Sequence, residues 1–373
     1  LFDELIPLPH GTSYNSYIVK GSEKTVLIDT VDPAMAHDLL ANLQKLGIDR
    51  IDYIVSNHAE QDHSGSIPRI IELHPDAKIL TNQKCKDLLI DHLCIAEDKF
   101  ITVKDRETIS IGGRTLEFIL APWVHWPETM FTYSREDKIL FSCDFLGSHY
   151  ASSSLFVDDE ARVYEGAKRY YAEIMMPFST SIKKHLETIK ALDVEMIAPS
   201  HGPVYPRPET ILNECSKWIS DKGKNEVIIV FVSMHGSTEK MVNHLIDALI
   251  DRGITVRPFN LTGTDLGELA VSLIDAATIV IATPTVLVGA HPEVAYAVSL
   301  VNALRPKLKF AGIIGSYGWG GKVVEQITGM INNLKLEVLD PVLVKGHPKD
   351  GDMVALDRLA DEILKRHKDA GLV

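Results

Sequence analysis

Short apolar runs, each closed by a polar cluster, recur along this chain of 373 residues. Residues 14–29 alternate and then turn apolar, which predicts a hairpin through Gly21 and Ser22. Helices are predicted over 34–46, stopped by Gly47, and over 67–73; between them the β-branched and aromatic run 51–57 has the character of a buried strand. Strand-like runs follow at 115–120, 139–144 and 196–199, interleaved with helices to about residue 190. The stretch 160–176 is mixed, with Arg169, Tyr170 and Tyr171 on a helix and the two tyrosines expected in the core. After a helix-like segment at 208–222 the pattern changes: 226–232 is almost continuously apolar, as in a strand buried on both faces of a parallel sheet. It leads into a hydroxyl-rich loop and an amphipathic helix over 239–251, and further apolar runs occupy 278–283 and 310–315. The boundary is expected near 221–225, with one domain over 1–222 and a second over 223–373.

Composition narrows the class. Hydrophobic residues make up 45% and charged residues 24%, the balance of a globular protein. The sequence has no apolar run of membrane-spanning length and no signal-peptide pattern, so a cytoplasmic location is expected. A formal net charge of −13 argues against non-specific binding to nucleic acid or anionic membrane. The four cysteines, Cys85, Cys94, Cys143 and Cys215, contain no Cys-x-x-Cys pair, so a zinc knuckle or rubredoxin-like iron centre is not expected within this sequence. Alternation places Cys143 on the strand face opposite Asp144, in the core.

The chemistry concentrates at strand ends. His58, Glu60, Asp62 and His63 fall within six residues directly after the run 51–57. Two imidazoles and two carboxylates leaving one strand end can turn toward a common volume, as a binuclear metal site requires. His125 lies between Trp123 and Trp126 after the strand-like run 115–120, Asp144 closes the next, and His201 follows another ahead of Gly202 and Pro203. The order His-x-Glu-x-Asp-His, then His, Asp and His, resembles the metallo-β-lactamase superfamily and implies its αββα sandwich. Zinc hydrolases of that fold normally carry histidine where this chain has Glu60; a carboxylate there hardens the donor set toward iron. In this respect the sequence resembles the flavodiiron proteins. The resemblance implies that His58, Glu60 and His125 bind one iron and Asp62, His63 and His201 the other. Asp144 would bridge, together with a hydroxide or oxo group. His63 is the position whose coordination varies in that family. The resemblance also implies a strand-forming segment ahead of Gly11, so the sequence is expected to be trimmed at its start.

The second domain supports the same resemblance. Ser233, His235, Gly236, Ser237 and Thr238 place hydroxyls and backbone amides at a helix start, a phosphate site that needs no fixed cation. Pro284, Thr285, Val286 and Leu287 follow the second apolar run; Ser316, Tyr317, Gly318, Trp319 and Gly320 follow the third. Three strand-end loops of this kind resemble flavodoxin, a doubly wound parallel sheet that binds FMN between them. The dinucleotide motif Gly-x-Gly-x-x-Gly is absent after the first strand of this domain, so FMN is expected over NAD. An α/β chain joining these two folds implies an oxidoreductase that reduces dioxygen to water, nitric oxide to nitrous oxide, or both. The family resemblance further implies a head-to-tail homodimer or a dimer of dimers, fed by rubredoxin, another small electron donor or reduced deazaflavin. A metal-dependent hydrolase with an attached flavodoxin domain is the competing expectation, and an electron carrier with a vestigial metal site is a third.

Overall fold

The hairpin through Gly21 forms as the alternation predicts: β1 (Tyr17–Lys20) pairs antiparallel with β2 (Thr25–Ile28). Gly21 is needed there, because a Cβ would fall 1.9 Å from the Ile111 carbonyl oxygen. Strands β3 (Tyr53–Val55), β4 (Lys78–Thr81) and β5 (Phe100–Thr102) then add in parallel, giving a sheet in the order β1-β2-β3-β4-β5. Parallel neighbours require crossovers, which contain the helices Ala36–Lys45, Ile67–Leu73 and Gln83–Leu93. The second sheet contains β6 (Thr108–Ser110), β7 (Thr115–Leu120), β8 (Met130–Ser134), β9 (Ile139–Cys143) and β10 (Met196–Pro199), in the order β10-β9-β8-β7-β6.

The two-residue period of a strand divides the first sheet between two cores. Val26, Ile28, Val55 and Leu80 pack with Leu116, Phe118, Met130 and Phe141 of the second sheet, while Leu27, Ile54 and Ile79 meet the helix residues Leu39, Ile70 and Leu89. Two packed sheets covered by helices form the expected αββα sandwich.

The third sheet is built from β11 (Lys224–Phe231), β12 (Thr255–Asn260), β13 (Ala276–Val286), β14 (Gly289–Ala290), β15 (Phe310–Tyr317), β16 (Glu337–Val338) and β17 (Val342–Lys345). Apart from β14, which turns back on β13, its strands pair in parallel in the order β12-β11-β13-β15, with β16 and β17 both on β15. Numbering the parallel strands alone, with β16 and β17 sharing the last place beside β15, the order is the flavodoxin-like 2-1-3-4-5. Val227, Ile229 and Phe231 of β11 pack against Met241, Leu245, Leu356 and Leu359 of two covering helices.

The computed structural model describes residues 7–373. Two compact units emerge, one of Leu8–Tyr171 with Phe178–Ile219, the other containing Ser220–Val373 with Ala172–Pro177. Several element ends differ from the sequence pattern, among them those of two helices and of β13. The helix expected from residue 239 begins at Ser237, and the one expected to reach residue 222 ends at Trp218. Strand β13 continues through Val286, because a tight hairpin pairs Val286 with Gly289 across Leu287 and Val288. No helix among the described residues is long and apolar enough to cross a membrane.

Candidate metal centre and flavin cleft

The seven predicted donors come together at strand ends along one edge of the sandwich. Asn57 fixes the loop that carries four of them: its backbone and side-chain amides donate to the two oxygens of Asp29 at 2.8 and 2.9 Å, and its side-chain oxygen, Oδ1, accepts from Thr132 Oγ1 at 2.8 Å. A single helical turn, Gln61–Ser64, then brings Asp62 and His63 back toward His58, with Ser64 Oγ donating to the Ala59 carbonyl at 2.7 Å.

The donors form two groups that meet at Asp144. His58, Glu60, His125 and Asp144 present atoms within 4.8 Å of one another, as do Asp62, His63 and His201. Asp144 Oδ2 faces the first group, 3.5 Å from His58 Nε2 and 3.2 Å from His125 Nε2; Asp144 Oδ1 faces the second, 2.7 Å from His63 Nε2 and 3.3 Å from His201 Nε2. Glu60 Oε2 lies 3.0 Å from His58 Nε2 and 3.1 Å from His125 Nε2, and Asp62 Oδ2 lies 3.2 and 3.3 Å from His63 Nε2 and His201 Nε2. Ligand atoms about 2.1 Å from a shared ion, at tetrahedral or octahedral angles, stand roughly 3.0–3.4 Å apart.

Both oxygens of Asp62, both of Asp144 and both ring nitrogens of His63 are buried without a hydrogen-bond partner among the described residues. Their close approaches are therefore not aligned as hydrogen bonds. Burying so many unpaired polar atoms is costly, and two cations would supply the missing partners. The donor set thus fits a pair of metal ions.

The electrostatics agree. Burial opposes charge on His58, His125 and His201, but the neighbouring carboxylates outweigh it: His58 lies well above its ordinary range, and His125 and His201 rise to about 9 and about 10. Burial pushes Glu60 and Asp144 the other way from their histidine contacts, and the contacts win; Glu60 falls to about 2 and Asp144 well below the carboxylate range. Such a site holds protons where bound metal would hold positive charge, so metal binding would release protons.

Two outer contacts orient these rings and were not read from the sequence. Glu128 Oε1 accepts from His58 Nδ1 at 2.7 Å and from the Ala59 amide at 3.1 Å, inside a fully buried pocket. His201 Nδ1 donates to the Ser13 carbonyl at 2.8 Å. Each contact leaves Nε2 facing the shared volume. Glu128 stands just beyond the Trp-Pro pair that follows His125 and carries a signal in its charge; a backbone carbonyl carries none.

Cys143 is buried as expected, but not on the opposite face. Its φ of +51° ends the strand alternation, and its sulfur shares a volume with His63 and Asp144. Tyr170 and Tyr171 are buried, as predicted; Tyr170 also packs on the ring of His201, with centroids 5.4 Å apart.

At the carboxyl ends of β11, β13 and β15 lies a cleft of roughly 290 Å³ lined by His235, Ser237, Thr238, Pro284, Thr285, Ser316, Tyr317 and Gly318, all predicted, and by Met234 and Gly346, which were not. Gly346 follows β17, a further strand end at the same edge, and its amide donates to the Tyr317 carbonyl at 2.9 Å. The lining contains no lysine or arginine. Gly236 caps the helix with a φ of +80°, and Ser233 Oγ accepts from the Glu239 amide at 3.2 Å, so both shape the loop. Val286, Leu287, Trp319 and Gly320 do not line the cleft; Leu287 and Trp319 are 94% and 81% exposed.

A profile described as ODP family beta lactamase matches residues 12–202. A nitric oxide reductase from Moorella thermoacetica is 36% identical over 335 residues, which span 88% of this chain and 84% of that one. Among solved structures, the rubredoxin oxygen:oxidoreductase of Desulfovibrio gigas superposes with a TM-score of 0.91 at 32% identity, over 97% of this chain and 92% of that one. The flavodiiron protein of Giardia intestinalis gives 0.90 at 30% identity, over 97% and 90%.

The chain belongs to the flavodiiron protein family. As a flavodiiron protein it carries the αββα sandwich and the flavodoxin-like sheet that its sequence led us to expect. Glu60, the position on which the sequence parted from zinc hydrolases, lies within the first donor group.

Proposed function

We propose that this flavodiiron protein is an oxidoreductase that reduces dioxygen to water, nitric oxide to nitrous oxide, or both. The observation carrying this reading is the division of the donors into two groups joined by the two oxygens of Asp144. In it, His58, Glu60 and His125 would hold one iron, Asp62, His63 and His201 the second, and Asp144 would serve both. When bound, the iron pair would supply electrons to a diatomic ligand, and FMN would supply electrons to the irons one at a time. Residues 1–222 form the diiron domain and 223–373 the FMN domain, with the flavin phosphate on the amides and hydroxyls from Ser233 to Thr238 and the ring between the loops after β13 and β15.

The protein's own groups prepare the site. Glu128 and the Ser13 carbonyl hold the Nδ1 protons of His58 and His201, leaving the Nε2 lone pairs for metal. Trp126 stands edge-on to His58 at 4.9 Å, and Phe178 lies 6.2 Å from His125, so rings limit water around the first donor group. Three carboxylates against two ferrous ions leave one positive charge, which a bridging hydroxide would balance. A hydrolase reading is disfavoured by Glu60, whose carboxylate replaces the imidazole of zinc enzymes.

The assembly in this reading is a head-to-tail homodimer, or a dimer of such dimers, in which the flavin of one chain serves the irons of the other. Rubredoxin, which gives the Desulfovibrio gigas relative part of its name, is the kind of donor that fits, with another small electron donor or reduced deazaflavin as alternatives. The location is the cytoplasm. The test is metal and flavin analysis with consumption of each gas under a reducing donor. Two irons and one FMN per chain, with uptake of at least one gas, are expected. Zinc in place of iron, or no uptake of either gas, would overturn the reading.

Subunit exchange tests the assembly. Asp144→Ala, which loses iron, is mixed with the double variant Ser237→Ala and Thr238→Ala, which loses FMN. Activity should reappear in mixed dimers without added FMN, whereas inactive mixed dimers would place the transfer within one chain.

A further inference from the structure

The two donor groups are alike in number but not in what stands behind them. On the first side, His58 Nδ1 bonds at 2.7 Å to Glu128, whose carboxylate is completely enclosed. That carboxylate receives one further bond, from the Ala59 amide, and its second oxygen has no hydrogen-bond partner among the described residues. On the second side, His201 Nδ1 meets the neutral Ser13 carbonyl, and neither ring nitrogen of His63 has a hydrogen-bond partner among the described residues. The inner carboxylates do not create this difference, since each side has one of its own, Glu60 or Asp62, and one oxygen of Asp144.

We infer that Glu128 is a positioning residue that makes the two metal positions unequal, so that the His58–Glu60–His125 position binds its ion more tightly and holds its iron at the lower reduction potential. This rests on the diiron reading. The physical reason is direct. An imidazole whose outer N–H is held by a carboxylate is a stronger donor than one held by a carbonyl, because proton density drawn toward Glu128 leaves more electron density on Nε2. A buried negative charge near the ion also favours the higher oxidation state, since little water screens it. At the second position no imidazole has its outer N–H held by a carboxylate; the buried carboxylate that acts on His63, Asp29, already receives the two Asn57 amides on its oxygens, and one imidazole there has no outer restraint, so this position should load last and empty first.

The experiment needs no variant at its first stage. Metal-free protein is given one equivalent of Co(II), chosen because it is paramagnetic and redox-quiet, and the occupied position is read by anomalous scattering in a crystal and by paramagnetic NMR. Cobalt at His58, Glu60 and His125 is the expected result. Cobalt at Asp62, His63 and His201, or spread equally, would overturn the inference, while failure to take up two metals at all would instead overturn the diiron reading.

The second stage uses Glu128→Gln, which keeps size and acceptor but removes charge, and Glu128→Asp, which keeps charge. In Glu128→Gln the affinity of one position should fall roughly 10- to 100-fold, so that a chelator removes one iron at concentrations that leave both in the parent. If that loss is tenfold greater for ferric than for ferrous ion, the potential of that iron rises by about 59 mV, read by EPR-monitored titration. The Asp variant should lie between the two. Equal effects on both irons, or none on either, would overturn the inference.

Discussion

The metal edge and the cleft at the end of the parallel sheet do similar work by opposite means. At the metal edge, side chains supply every proposed donor, and most of them are buried; contacts from Asp29, Thr132, Glu128 and Ser13 fix the loop and its rings. In the cleft, hydroxyls and loop backbone form much of the lining, and exposed apolar residues stand nearby. The difference teaches where each site stores its precision. A metal pair needs several charged groups held within tenths of an ångström, which only buried, cross-braced side chains provide. A phosphate and a flat ring need amides and hydroxyls along strand ends, which the sheet topology supplies almost by itself.

The comparison breaks first at Asp144. Replacing it with alanine removes both oxygens that join the two groups, so loss of both metals and of all gas reduction is expected while flavin content stays at the parental level. Metal analysis and flavin absorbance check this; an active variant retaining two irons would break the account of the edge.

Glu60→His comes next. An imidazole softens the donor set, so loading should shift from iron to zinc with loss of gas reduction and an unchanged fold. Metal content and circular dichroism check this, and unchanged iron with full activity would show that the carboxylate does not select the metal.

The cleft should be more forgiving. Removing both hydroxyls in the variant Ser237→Ala, Thr238→Ala deletes two bonds to a charged group, worth about 1.5–3 kcal/mol each, so FMN affinity should fall roughly 10²- to 10⁴-fold. Equilibrium titration with FMN measures it, and parental affinity would place the phosphate elsewhere.

A pH effect sharpens the contrast from outside both sites. His367 is fully buried, donating from Nδ1 to Asn225 Oδ1 at 2.7 Å and accepting at Nε2 from Thr278 Oγ1 at 2.7 Å, and burial lowers it to about 4. Unfolded histidine titrates near 6.5. Between those values the unfolded chain binds a proton that the folded one refuses, so this contribution is complete above about pH 6.5 and falls toward pH 4 by at most roughly 1.4 kcal/mol per unit. Denaturant unfolding across that range should show it, with a shallower slope in His367→Gln.

The smallest effect belongs to the hairpin tip. Leu287 and Val288 both have positive φ, +47° and +74°, where two-residue turns favour Asn-Gly. The variant Leu287→Asn, Val288→Gly should stabilise the fold by about 1 kcal/mol, read as a higher midpoint in denaturant.

The metal edge was legible because its chemistry lies in side chains. His58, Glu60, Asp62 and His63 announce themselves by type and spacing, and the apolar runs ahead of His125, Asp144 and His201 showed that these belong at strand ends. The fold was legible for a related reason: alternation marked the first hairpin, short apolar runs closed by polar residues marked further sandwich strands, and the unbroken run after residue 225 marked a doubly covered sheet. Backbone geometry was not legible. Nothing in the sequence marks the Ser13 carbonyl as a partner of His201, the positive φ that turns Cys143 toward His63, or the hairpin that lifts Leu287 out of the cleft. Glu128 lies between these cases, its charge visible but its burial against His58 arising only from the fold.

The central claim, that flavin electrons reach a diatomic gas through the metal edge, is tested most directly by stopped-flow reoxidation of the anaerobically reduced protein against dioxygen and nitric oxide, with parent and Asp144→Ala compared at equal flavin content. Flavin absorbance should return rapidly in the parent with at least one gas, and at least a hundredfold more slowly in the variant, about 2.7 kcal/mol of barrier. Equal rates in the two proteins would mean that the flavin reacts with the gas by itself, which would contradict the account.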